Sequence, residues 1–159
     1  MKAVPIIGLM CVATLWSGEA LDLRTHSGRT LPAEAYSLLK KGEGRGSLSW
    51  SWKDKDFNSS EGYAVEETRW NYYERNGTLL AYLRDQLDLQ ARVNSPNRLS
   101  VRVVYYTVNS VGPQLILEGT VTAKGRATAH FVESAILDPG DSLRGLVDEF
   151  MGDFTAFMK

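Results

Sequence analysis

Apolar and polar positions alternate from Ser47 to Lys53, with Leu48, Trp50 and Trp52 separated by Ser49 and Ser51. A period of two predicts a strand with one apolar face. Val65 to Tyr73 reads as a second strand, with Trp70 and Tyr72 on one side and Arg69, Asn71 and Tyr73 on the other. Its charges predict an edge position. At Asn76-Gly77-Thr78 the period changes. Leu79, Leu80, Leu83, Leu87 and Ala91 recur at helical steps, opposite Arg84, Asp85 and Asp88, and predict an amphipathic helix to about Arg92. Pro96 in Asn94-Ser95-Pro96-Asn97 marks its end. Three strands follow over Leu99–Asn109, Leu115–Lys124 and Arg126–Ser134, the last two joined by a tight hairpin at Lys124-Gly125. The chain closes on a second amphipathic helix, from about Asp141 to Met158. Its stripe is Leu143, Leu146, Val147, Phe150, Phe154, Phe157 and Met158, and Asp138 or Asp141 is placed to cap its start.

The predicted order is β-β-α-β-β-β-α. It implies an α+β two-layer sandwich, a mainly antiparallel sheet of about five strands with two amphipathic helices on one face. Trp50, Trp52, Trp70 and Tyr72 then supply an apolar sheet face for the helices to cover. Left exposed, the same four rings would make a sugar-binding platform, which is the alternative function. With Val101, Val103 and Tyr105 turned to the helices, Val104, Tyr106, Val108 and Ile116 face away beside Arg102 and His130. This mixed patch has the character of a protein-contact surface.

Residues 1–20 have the plan of a secretory signal peptide: Lys2, an apolar run from Ala3 to Trp16, then Ser17-Gly18-Glu19-Ala20. Cleavage is expected after Ala20. The run contains Pro5 and Gly8 and falls short of the ~20 residues that span a bilayer. Bulky Met10 before Cys11 makes this a poor lipid-attachment site. The expected division is a signal peptide over 1–20, then an arm over 21–46 that carries a short helix (Pro32 to Lys41) and a Gly-rich joint. A single α+β domain over 47–159 completes it. Cleavage removes the chain's one Cys and with it any disulfide, which suits a periplasmic or outer-membrane-associated protein.

Composition then narrows the chemistry. Eighteen basic against 19 acidic residues give a net charge of -1, with no footprint for nucleic acid. Gly42-Glu43-Gly44-Arg45-Gly46 lacks the spacing and the Lys of a phosphate loop, and nothing points to a cofactor. Asp54, Asp56 and Asn58 match the opening ligands of a calcium loop, with Glu61 as a substitute last ligand. Ser59 stands at the turn glycine and Val65 at the bidentate position, so a solvated turn is the expectation. His26 and His130 stand apart, without the companions of a zinc site or a catalytic triad. Asp148, Glu149 and Asp153 read as the wet face of the last helix, and no carboxylate is expected at an inward strand position. A carboxylate hydrolase is therefore the least favoured function.

This layout, with the export signal and a last helix introduced by Asp138-Pro139-Gly140-Asp141-Ser142-Leu143-Arg144, resembles small bacterial cell-envelope proteins and lipoproteins of two-layer α+β build. The resemblance covers most of residues 47–158 and is one of layout. It implies an accessory part of a secretion, polysaccharide-export or lipid-transport machine. The expected function is an exported, non-enzymatic binding or assembly protein. It would contact an envelope protein, or another copy, through its sheet face or edge strand.

Overall fold

A computed structural model describes residues 48–110 and 112–159, together with Ser37. The expected signal peptide, and the arm and joint apart from Ser37, lie outside the described residues. The elements run β1 (Trp50–Lys53), a 3-10 turn (Ser59–Glu61), β2 (Ala64–Trp70), α1 (Gly77–Gln90), β3 (Arg98–Asn109), β4 (Gly112–Ala123), β5 (Arg126–Ile136) and α2 (Arg144–Phe157). They form the expected α+β architecture, one five-stranded sheet in the order β1-β5-β4-β3-β2. β3, β4 and β5 are an antiparallel meander, and β1 adds antiparallel to β5. β2 lies parallel to β3 because α1 carries the chain back between them, so the sheet is mixed. The charged strand β2 takes an edge, as its pattern predicts.

Local chemistry accounts for most boundaries. The Asn76 side chain accepts from Leu79 N at 2.9 Å and caps α1. Lys124 and Gly125 both adopt positive φ, 52° and 73°, the pairing that a two-residue hairpin requires to match strand twist. α2 departs from expectation. It starts at Arg144 without a side-chain cap, and neither Asp138 nor Asp141 serves; backbone turns do instead, with Gly145 N donating to Ser142 O at 2.8 Å.

Both helices bury their stripes on one sheet face. Leu79, Leu83 and Leu87 of α1, with Leu146, Val147, Phe150, Met151, Phe154 and Phe157 of α2, meet Leu99, Val101, Val103, Leu115, Leu117 and Phe131 of the sheet. Tyr63, buried immediately before β2, donates its hydroxyl to Leu87 O at 2.8 Å and ties the entry to this strand to the end of α1. Tyr82 of α1 donates to Asp148 of α2 at 2.7 Å, while Arg144 lies over its ring.

Phe131 is the centre of the core. Its ring lies 5.9, 5.3 and 5.4 Å from those of Phe150, Phe154 and Phe157. It reaches them by lying over Gly119 of β4, its cross-strand partner. A Cβ added at Gly119 would sit 1.9 Å from the ring. Gly119→Ala is therefore expected to cost roughly 1–3 kcal/mol by overpacking. Coupling it with Phe131→Leu should cost less than the two single changes summed, as thermal unfolding of the four proteins would establish.

Candidate functional site

The face of the sheet away from the helices is the candidate site. Residues directly opposite across an antiparallel pair share a face, so the pairs Trp50–Val132, Trp52–His130, Glu118–Val132 and Ile116–Ser134 assemble it from β1, β5 and β4. Arg102 of β3 lies opposite Glu118.

A register shift between Val103 and Tyr105 decides what β3 contributes. The extra residue reverses the alternation. Tyr105 therefore joins Val104, Ile116 and Val132 on the outer face, whereas Tyr106 joins the helix-side core. This corrects the sequence reading, which placed Tyr105 inward and Tyr106 outward. Val108, in phase with Tyr106 and opposite Pro113, is exposed at the strand end. Of the expected contact residues, Arg102, Val104, Ile116 and His130 thus share the outer face, and Tyr106 and Val108 do not.

An ion network occupies the polar half of this face. The Glu118 carboxylate pairs with the Arg102 guanidinium through one oxygen and with His130 Nε2, at 2.8 Å, through the other. Trp50 meets the His130 ring edge-on, with centroids 4.9 Å apart. Burial pushes the Glu118 carboxyl upward. The hydrogen bonds and positive charges of His130 and Arg102 outweigh it and leave the group below its ordinary range. Glu118 is thus held as a carboxylate, the reverse of what a proton donor at neutral pH requires. Beside it Glu67, Arg69, Ser100 and Thr120 help to line an open hollow of about 260 Å³.

The four aromatic residues expected to share one face are divided. Trp50 and Trp52 stand on the outer face, the first packed against its apolar cluster and the second 45% exposed. Trp70 packs against the helix-side core, edge-on to Tyr106 at 5.3 Å. Tyr72 packs against both apolar clusters and touches the exposed Tyr73. No single plane carries all four rings.

The acidic loop turns to other partners. Asp54 and Asp56 both pair with Arg126, and Asn58 Oδ1 accepts from Ser60 N and Ser60 Oγ at 3.1 and 2.7 Å. Glu61 is exposed in the 3-10 turn. Among the described residues no three His, Cys, Asp or Glu side chains converge as a metal site. Adding calcium after chelation should leave the melting temperature unmoved; a rise saturating with calcium would restore this loop as a site.

Glu133 overturns the expectation that no carboxylate points inward. Opposite Leu117 and two residues from Phe131, it lies on the helix-side face, 4% exposed. Its Oε2 accepts from Ser49 N at 2.7 Å and Ser49 Oγ at 3.1 Å. Burial raises this carboxyl to about 7, reinforced by Asp153 of α2 and opposed by the Ser49 hydrogen bonds. The alternation of Ala129 and Phe131 already carried the signal for its direction.

Because the folded state raises this carboxyl, its contribution is fully favourable below about pH 4.5 and is lost as pH rises toward 7. The loss amounts to roughly 2–3 kcal/mol. Glu133→Gln keeps an acceptor for Ser49 and cannot ionise. The stability of this variant relative to the parent should grow by that amount between pH 4.5 and 8, as paired melts would show.

Comparisons with known proteins support the fold. No family model matches the chain, and no curated protein matches its sequence. Among solved structures, a PelC dodecamer from Paraburkholderia phytofirmans is similar at a TM-score of 0.50 and 10% identity, covering 68% of this chain and 93% of that one. A second crystal form of the PelC dodecamer gives 0.47 and 10%, with coverage of 67% and 95%. At this identity the likeness is one of fold. Among the described residues, no helix is long and apolar enough to cross a membrane.

Proposed function

We propose that the chain is an exported, non-enzymatic binding or assembly protein of the bacterial cell envelope, and that it engages another protein through the outer sheet face. One observation carries this reading. Both helices are spent on one face, while the other presents Arg102, Glu118 and His130 as a charge-balanced array beside the exposed Trp52. An aromatic anchor beside oriented charges is the composition of a protein interface. Self-association is the first form to test, since the similar PelC chains are dodecamers.

Trp52→Asp and Arg102→Glu should each weaken association at least tenfold while the helix-side core stays folded. Sedimentation reads this for the protein alone, and crosslinking followed by purification reads it in cells. A protein that stays monomeric and recovers no partner when crosslinked in its native envelope would overturn the proposal.

A further inference from the structure

The pair Asn76-Gly77 stands at the start of α1 and carries a chemistry that the fold holds shut. When glycine follows asparagine, the backbone nitrogen reaches the side-chain amide most easily, because no Cβ shields it and the chain turns freely there. Nothing around Gly77 calls for a glycine. A Cβ at this position would meet nothing within 4 Å, its φ is not positive, and alanine would favour the helix. In the folded chain both ends of the Asn76 amide are held. Oδ1 accepts from Leu79 N at 2.9 Å, and Nδ2 donates to the hydroxyl of buried Tyr106 at 3.0 Å. The backbone is set against reaction as well. Ring closure must bring Gly77 N round to the side of Asn76 Cβ, which needs a strongly negative ψ, whereas ψ is 95° and points the nitrogen away.

We propose that Asn76 is a self-modification site, closed while it caps α1 and open when the chain unfolds. The Gly77 nitrogen bonds to Asn76 Cγ, the Cγ–Nδ2 bond breaks, and Nδ2 leaves as ammonia with the proton from the Gly77 nitrogen. Water then opens the cyclic imide. Opening at Cγ gives aspartate, which still accepts from Leu79 N and can accept from the Tyr106 hydroxyl in place of donating to it. Opening at the Asn76 backbone carbonyl gives isoaspartate, whose main chain runs through Cβ and Cγ, so its carboxylate no longer stands at the cap. α1 brings Leu79, Leu83 and Leu87 to the core, and the loss of its cap falls on that packing. The pair therefore records time spent unfolded. This inference is independent of the partner-binding proposal and rests on none of the same residues.

The full chain, aged folded and in guanidinium chloride at one mildly alkaline pH and temperature, tests it, with peptide mapping by mass spectrometry to read aspartate and isoaspartate at each Asn. In denaturant Asn76 should convert at least tenfold faster than in the folded chain and ahead of Asn94, which precedes a serine. In the folded chain it should fall behind Asn94, which is exposed. Gly77→Ala should cut the denatured rate at least tenfold without lowering the melting temperature. After refolding, isoaspartyl chains should collect in the unfolded fraction, whereas Asn76→Asp chains should return to the native one. Equal rates in the two states, a folded Asn76 that outruns Asn94, a denatured rate indifferent to Gly77→Ala, or isoaspartyl chains that refold like the parent would each overturn the inference.

Discussion

The fold depends on the contact between Phe131 and the bare backbone of Gly119. A phenylalanine in the middle of a sheet ordinarily stands above its neighbours and holds a covering helix away. Here the ring settles over Gly119 and meets three phenylalanines of α2 at once. This close approach lets one helix of fourteen residues seal β4 and β5 together. α1 is then aligned by α2 through Tyr82, Asp148 and Arg144, and by the entry to β2 through Tyr63. Aromatic packing at the centre therefore bears on the position of elements beyond α2 itself.

The helix stripes were legible because their periods are unambiguous. Leu79, Leu83 and Leu87, and Phe150, Phe154 and Phe157, have no alternative arrangement that buries them together. β3 was not legible in the same way. Val103-Val104-Tyr105-Tyr106 contains no polar residue to report a change of phase, so a strictly alternating reading runs through the bulge and exchanges the two tyrosines. The division of the tryptophans between faces depends on which neighbour each strand finds, and this is a long-range property. Glu133 is the opposite case. Its phase was plain, but the rule that acids avoid the interior concealed it until the Ser49 hydrogen bonds explained how it is tolerated.

The two faces of the sheet thus divide their chemistry. The inner face resolves one buried carboxyl through Ser49 and the proximity of Asp153. The outer face holds Glu118 between the Arg102 guanidinium and the His130 ring. Ionised pairing suits a surface that must stay polar, whereas a proton retained near neutrality suits a group shut between a strand and a helix.

β1 has only four residues, and its partner is β5. The bond between Ser49 and Glu133 that reinforces this junction closes a loop of 84 residues. The β3–β4–β5 meander needs only neighbouring contacts, so it is the segment placed to organise first, and β1 must wait for β5. A chain emerging N-terminus first cannot complete this sheet until nearly all of it is available. Leu48 and Trp50 consequently remain accessible to any factor that handles the chain during synthesis, and closure of β1 onto β5 ends that period.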